Sequence, residues 1–335
     1  MIVCFGEAMV RLAPPHFARI EQCRTFDVEV GGAELNTAAG LVRLGREATW
    51  VSALPENSLG RLVANRVREA GVNTDHVAFT EEARCGLYFL EFGASPRASS
   101  ILYDRKGSSI SQVKPGTSSF WSGKKWGLFD WGAIFEEATW FHVTGITAAV
   151  IEDREVLTEA LAAARSAKVP VSVDLNYRSK LWPADEAGRV MAGVVKGAEL
   201  LIAGEADAEN LFGVKGENFA EVAKKLADRF GVKHVAGTKR TTPLVWRNTF
   251  GAVGYSNGEL FETPSYDVEI VDRLGAGDAM ASGIIHGLLD GDFPKGLQYG
   301  AAMGAIKHTI PGDLPWIDKS EVEATMTGEG LRIKR

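Results

Sequence analysis

The sequence predicts an α/β fold, an open and mainly parallel sheet flanked by helices. Three observations carry that reading. Short apolar strand-like runs alternate with helical segments along the chain. Polar clusters sit at the ends of those runs, where open α/β sheets keep their ligand groups. Two glycine turns, Gly31-Gly32 and Gly275-Ala276-Gly277, each lead into a small-residue helix.

A chain of 335 residues suits one large α/β domain with an excursion, or two domains. We expect a single domain over residues 1–335, with a small lid sheet built from about 11–30 and 84–106. Hydrophobic content of 45% and charged content of 24% are ordinary for a soluble globular protein. The net charge of −6 argues against general nucleic-acid binding. It leaves an anionic substrate open, because a few local arginines can dominate a cleft. Cys4, Cys23 and Cys85 are widely spread without a CxxC and read as free thiols of a reducing cytosol. The first residues lack the basic-then-apolar design of a signal peptide. No apolar run approaches the roughly 18 residues of a membrane span. The expected location is cytoplasmic, with no membrane partner.

Met1 to Phe5 reads as a buried first strand ending at Gly6-Glu7. Arg11 to Val30 is mixed, with Pro14-Pro15 and then an alternation from Thr25 that suggests a strand with one exposed face. Gly31-Gly32 opens a helix that Gly45 stops. No G-x-G-x-x-G follows the first strand, so a dinucleotide-binding reading fails. Thr49 to Leu54 is a second core strand, and Leu59 to Glu69 an amphipathic helix closed by Gly71. Gly86 to Phe92 and Ser100 to Arg105 are aromatic-rich strands that join the 25–30 strand in the small sheet. Such an exposed sheet needs cover from a partner subunit or a closing cleft.

Residues 106–136 read as a loop and short helix, with Trp121, Trp126 and Trp131 as core anchors. Phe141 to Ile146 is a strand end at the mouth of the sheet, with His142 in the core. Glu155 to Ala167 is a helix, and Val169 to Val173 a strand whose end carries Asp174, Asn176 and Arg178. Leu200 to Ala203 and His234 to Thr238 are further strands, separated by a short helix to Phe212-Gly213 and an amphipathic helix over Phe219 to Phe230. Leu244 to Phe261 suggests hairpins, with Ser256-Asn257-Gly258 a turn signal. Small-residue helices follow, one to about Leu289 and one from Gly296 to His308, and residues 327–335 are expected to fray.

Chemistry concentrates at Asp272-Arg-Leu-Gly275-Ala276-Gly277-Asp278. Glycines let the backbone approach a ligand closely, and free N–H groups at a helix start attract phosphate. Asp278 falls in the first helical turn, as a helix cap or as a base that takes a proton from a hydroxyl attacking phosphorus. A carboxylate is not needed to bind phosphate and partly opposes it. Tyr88, Tyr103 and Arg105 could together bind a carboxylate, with Arg in its bidentate fork geometry. Aromatic packing beside a solvated Arg is the plainer alternative. Gly31-Gly32 and Asn36 are likewise either a turn with a polar helix residue or a ligand contact.

The Asp272–Asp278 run resembles the second signature of the ribokinase (phosphofructokinase-B type) sugar kinases, although Arg273 and Leu274 stand where many members carry Thr or another small residue. Gly31 to Gly45 resembles the first signature, about 240 residues earlier and in the right order. Gly86-Leu-Tyr88, Tyr103-Asp-Arg105-Lys-Gly-Ser, Asp174-x-Asn176-x-Arg178 with Leu181-Trp182, and His308 to Asp313 are similar to the 2-keto-3-deoxygluconate kinases. The resemblance implies a ribokinase-like three-layer αβα domain with the early aromatic strands as a lid. It implies transfer of the γ-phosphate of ATP to the primary hydroxyl of 2-keto-3-deoxygluconate. Asp278 would be the base, with the amides of Gly275, Ala276 and Gly277 as the anion hole. Arg178 would lie between the sugar acid and the migrating phosphate.

By the same resemblance Gly32 and Asn36 contact sugar hydroxyls, Tyr88, Tyr103 and Arg105 hold the carboxylate, and the backbone at Ile146 lines the pocket. Asp313 would receive a hydroxyl or cap its loop. Asn176, Thr238, Gly275, Gly277 and His308 would face ATP. Mg²⁺ would have no direct ligand: Gly204 stands where many relatives carry Asn, and Asp207 would act through water. A monovalent cation is compatible with this family, as is a homodimer or higher oligomer formed through the lid. A fructokinase, a ribokinase, a 5-dehydro-2-deoxygluconokinase or a sugar sensor without catalysis are the competing readings. A P-loop kinase is disfavoured because no GxxxxGK[ST] occurs.

Overall fold

The computed structural model describes residues 1–81, 83–116, 120–121, 124–125 and 129–329. Its first strand, β1 (Ile2–Phe5), is buried on both faces. Val3 and Phe5 enter one hydrophobic cluster, Ile2 and Cys4 the other. A strand apolar at every position, with side chains alternating between two layers, belongs inside a helix-covered parallel sheet.

The chain continues with β2 (Met9–Ala13), β3 (Asp27–Gly31), α1 (Ala33–Arg43), β4 (Ala48–Pro55), α2 (Ser58–Glu69), β5 (Val77–Thr80), β6 (Gly86–Glu91) and β7 (Ser100–Asp104). Two short strands, β8 (Phe120–Trp121) and β9 (Lys124–Lys125), pair with each other. Then come α3 (Trp131–Phe135), β10 (Trp140–Thr144), α4 (Gly145–Val150), α5 (Glu155–Ser166), β11 (Val171–Asp174) and α6 (Ala184–Val195). β12 (Leu200–Ile202), α7 (Glu205–Phe212), α8 (Phe219–Phe230), β13 (His234–Leu244), β14 (Arg247–Ser256), β15 (Glu259–Glu262) and β16 (Tyr266–Glu269) follow. The described chain closes with α9 (Ala276–Leu289), α10 (Phe293–Lys307) and α11 (Lys319–Met326).

The large sheet has the order β15-β14-β13-β12-β11-β10-β1-β4-β5, parallel from β13 to β5 and antiparallel at the β14–β15 edge. β1 lies between β10 and β4, so the direction in which the sheet is built reverses beside it. Open α/β sheets bind ligands at that switch point, outside the carboxyl ends of the strands. A second sheet, β3-β2-β6-β7, stands above this edge. It is the small aromatic sheet that the sequence predicts.

Helices α1, α2, α9 and α10 pack on one face of the large sheet, and α3 and α5 to α8 on the other. The small-residue runs of α9 and α10 are packing devices. A Cβ on Gly283 would lie 2.4 Å from the Gly300 nitrogen, and one on Gly287 2.2 Å from the Gly296 Cα. Backbones that close leave no room for side chains.

Some elements differ from expectation. The strand predicted to end at Thr238 runs on to Leu244, because Lys239 to Leu244 pairs antiparallel with β14. β5, α6 and α11 were not foreseen, although Asp318 and Glu321 form a capping box at the start of α11. His142 is a core residue, 1% exposed and hydrogen-bonded to the Ser172 hydroxyl at 2.8 Å. Trp131 anchors the core against Phe5 and Phe135. Trp126, the side chain of Trp121 and residues 330–335 lie outside the described residues. The three cysteines are free, and no helix among the described residues is long and apolar enough to cross a membrane.

Candidate active site

The loop before α9 is shaped by one glycine. Gly275 has φ of +78°, and a Cβ there would lie 2.1 Å from the Asp313 carbonyl oxygen. Both facts require glycine. Gly275 caps α9, so Asp278 is the third helical residue. The N–H groups of Gly275, Ala276 and Gly277 find no acceptor outside their own helix among the described residues. They point from a helix N-terminus with its positive partial charge, a ready anion site.

Asp278 sits between two cavities and lines both. Its Oδ2 accepts a hydrogen bond of 2.7 Å from the Asn36 amide. Desolvation pushes its carboxyl up to about 6, although Asn36 and the Arg178 charge pull the other way. A base poised near neutrality suits proton removal from a hydroxyl.

The smaller cavity, about 100 Å³, lies at the β1/β10 switch point under the lid. It brings together Gly32, Asn36, Tyr88, Tyr103, Arg105, Ile146, Arg178, Asp278 and Asp313. Asp313 is held from the lid: the Tyr88 hydroxyl donates to its Oδ2 at 2.5 Å and Arg11 Nη1 to its Oδ1 at 2.8 Å. Arg11 Nη2 also meets Asp272 Oδ2 at 2.7 Å. Asp272 in turn accepts from the Leu274 amide (Oδ1, 3.1 Å) and the Gly312 amide (Oδ2, 3.1 Å), fixing both loops that flank the anion site. Arg105 pairs with Glu7 through Nη2 and packs over the Tyr103 ring, its Cζ 5.6 Å from the centroid. Its Nε has no hydrogen-bond partner among the described residues. The Tyr88 hydroxyl already donates to Asp313, which leaves Tyr103 and Arg105 as the members of the expected trio with donors uncommitted toward the cavity.

The larger cavity, about 790 Å³, is lined by Asn176, Arg178, Thr238, Gly275, Ala276, Gly277 and Asp278. Asn176, with φ of +37°, turns the chain after β11 and donates its N–H to Asp174 Oδ1 at 3.0 Å. That turn places Arg178 on the cleft, where its guanidinium has no hydrogen bond or ion pair among the described residues. His308 is a correction: its ring is 0% exposed, with Nδ1 2.6 Å from the Gly304 carbonyl and Nε2 3.3 Å from the Asn248 amide. Burial lowers it to about 4. Its carbonyl accepts from the amides of Val271 and Asp272, so it braces the loop rather than facing the cleft.

Asp207 lines neither cavity but lies in the field of Arg178, with its carboxyl raised by desolvation. Asp174 is pushed up to about 7 by desolvation, by Asp278 and, less, by Asp207, with Arg178 opposing. Three carboxylates thus share one guanidinium. That excess of negative charge fits a hydrated divalent cation. No group of three or more His, Cys, Asp or Glu side chains able to hold a metal ion occurs among the described residues.

Several residues of the site were not singled out from the sequence: Glu7, Arg11, the Asp272 carboxylate, Glu34 and Lys307. Each is a buried charge, and Glu7, Arg11, Glu34 and Lys307 stand in runs of buried, mainly apolar neighbours, which was the available signal. Glu34 ties α1 to the end of β10, accepting from the Thr144 amide at 2.8 Å and the Thr147 hydroxyl at 2.6 Å.

Comparison with known proteins agrees with this geometry. The sequence profile of the pfkB family carbohydrate kinases matches residues 1–315. The chain is 34% identical over 336 residues to a 2-dehydro-3-deoxygalactonokinase of Haloferax volcanii, covering 100% of this chain and 99% of that protein. It is 28% identical over 331 residues to a 5-dehydro-2-deoxygluconokinase of Bacillus subtilis, covering 96% and 94%. A crystal structure of the Thermotoga maritima 2-dehydro-3-deoxygluconokinase superposes with a TM-score of 0.91 at 38% identity, covering 98% of this chain and 99% of that one. With its ribokinase-like fold and a carboxylate beside a free anion site, the chain belongs to the pfkB family of carbohydrate kinases and is an ATP-dependent sugar kinase.

Proposed function

We propose that this kinase phosphorylates the primary hydroxyl of a keto-deoxy sugar acid, 2-keto-3-deoxygluconate. The observation that carries the reading is the position of Asp278, one carboxylate opening on both cavities beside three free amides. The sugar acid occupies the smaller cavity and the ATP phosphates the larger. Asp278 takes the proton from the hydroxyl, whose oxygen bonds to the γ-phosphorus as the bond to the ADP oxygen breaks. The amides of Gly275, Ala276 and Gly277 and the free guanidinium of Arg178 meet the charge that spreads over the phosphoryl oxygens. Arg105 and Tyr103 hold the carboxylate, Gly32 and Asn36 the hydroxyls, and Asp313 accepts from a further hydroxyl. Mg²⁺, when bound, neutralises the phosphates, and Asp207 with Asp174 would hold its water shell. The exposed Val28 and Leu102 on the lid are in keeping with a second copy covering that sheet.

A second reading has its own support. The Haloferax relative is named for the galactonate, which differs from the gluconate at one hydroxyl-bearing carbon. A carboxylate clamp does not distinguish such epimers. The decision falls to the hydroxyl contacts at Asp313 and Asn36.

The test is ADP release measured with 2-keto-3-deoxygluconate, its galactonate epimer, 5-dehydro-2-deoxygluconate, fructose and ribose. The acids should exceed the neutral sugars in kcat/KM. Arg105→Met should cost the acids roughly 10- to 150-fold, the weight of a charge-assisted contact, and spare the neutral sugars. Because that change strands the buried Glu7, the double variant Glu7→Gln with Arg105→Met serves as the folding control. Neutral sugars turned over as well as the acids would overturn the reading.

A further inference from the structure

Lys307 has no part in the mechanism above, yet it is among the largest fully buried side chains of the protein, 0% exposed. It ends α10 and donates from Nζ to the Ile310 carbonyl at 3.0 Å. Its Cε lies behind the anion-hole turn, 3.4 Å from where a Gly275 Cβ would be. Desolvation pulls the Lys307 ammonium below its ordinary range; the fields of Asp272 and Asp313, and less that of Asp278, hold it up, while Arg11 opposes. Two carboxylates, Asp272 and Asp313, and two cations, Arg11 and Lys307, therefore form a sealed cluster at the back of the loop, with formal charges that cancel.

That cluster leaves no place for a bound alkali ion. Such an ion needs carboxylate or carbonyl oxygens with free lone pairs and an excess of negative charge. Both oxygens of Asp272 are engaged, by Arg11 and by the Leu274 and Gly312 amides. Both oxygens of Asp313 are engaged, by Arg11 and the Tyr88 hydroxyl, and the Ile310 carbonyl is taken by Lys307 itself.

We propose that Lys307 is a positioning residue for phosphoryl transfer, a tethered ammonium that holds the 310–313 loop and lends fixed positive charge to the back of the anion hole. The kinase then runs without activation by K⁺ or any other monovalent cation. This rests on reading the Gly275, Ala276 and Gly277 amides as the anion hole. The charge is built into the chain, so it needs no ion to be captured, and it is already in place when the phosphoryl group arrives.

The test uses whichever sugar the enzyme turns over, with kcat and KM measured in choline chloride and in KCl at equal ionic strength. Wild-type kcat should agree within about twofold between the two salts, and its melting temperature should be the same in both. Lys307→Ala should lose on the order of 10²-fold in kcat, the scale of one preorganised electrostatic contact, with a smaller change in sugar KM. K⁺, ammonium or methylammonium should restore part of that loss and raise the variant's melting temperature. Marked activation or thermal stabilisation of the wild type by K⁺ would overturn the proposal. So would an Lys307→Ala variant with full activity in choline, or one that no small cation restores. Should the variant fail to fold, the wild-type salt comparison decides alone. If no sugar is phosphorylated at all, the kinase reading has failed, and the wild-type melting comparison still tests the cluster.

Discussion

Replacing Asn36 with Ala tests the identity of the base through its titration. In the folded enzyme the Asn36 amide donates to Asp278 at 2.7 Å and favours the ionised carboxylate, while desolvation has raised that group to about 6. A hydrogen bond to a charged group contributes about 1.5–3 kcal/mol, and each pH unit of titration corresponds to about 1.4 kcal/mol. Losing the bond should therefore raise the Asp278 midpoint by about one to two pH units. The assay is kcat/KM for the sugar at saturating ATP from pH 5 to pH 9, which reports the free enzyme's essential groups. Wild type should show an acidic limb centred near 6, and Asn36→Ala the same limb displaced toward neutral or above. Titration of ATP itself is common to both enzymes and cancels in the comparison. Asn36 also faces the sugar cavity, so a uniform fall across all pH values would report a lost hydroxyl contact. The pH-dependent part alone reports the base. Superimposable limbs, with the variant folded, would show that Asp278 is not the group being titrated and would refute the assignment.

Other outcomes follow from the same geometry. Asp278→Asn should lower kcat by about 10²–10⁴, the usual weight of a general base, at unchanged fold. Its stability effect has a definite sign. A carboxyl raised from 3.8 to about 6 on folding contributes stability that is complete at low pH and lost as pH climbs through the folded value. In urea melts Asp278→Asn should thus be more stable than wild type at pH 8, by up to about 3 kcal/mol, with the difference vanishing near pH 3.5. Gly277→Ala separates fold from function: a Cβ at Gly277 meets nothing within 4 Å, and the residue lines the larger cavity. Melting should show a neutral or slightly stabilised protein, by up to about 1 kcal/mol. Turnover of ATP should fall, because the methyl group enters space meant for phosphate. Normal kinetics in that variant would place the phosphates elsewhere.

Much of this arrangement was legible in the chain because it is local. The glycine before α9, the carboxylate in its first turn, and the strand-end Asp174, Asn176 and Arg178 are fixed by turn chemistry and helix termini, which depend on near neighbours in sequence. The aromatic lid strands declared themselves by alternation and composition. The positions that escaped notice make their contacts at long range. Arg11 on β2 reaches Asp272 and Asp313 near the other end of the chain, and Glu7, after β1, meets Arg105 just past the end of β7. His308 looked like a ligand contact by its place in a motif, but the packing of Phe250 and Asn248 against it turns its ring inward.

The sequence by itself determined an α/β fold and a glycine turn leading into a helix with an acidic residue in its first turn, since backbone freedom and helix polarity are properties of short segments. Tertiary structure alone decided which charges neutralise one another. Coulomb attraction and desolvation depend on distance through space, and only folding brings Arg11 and Lys307 to the two aspartates, or gives Asp278 a setting that lifts it toward neutrality.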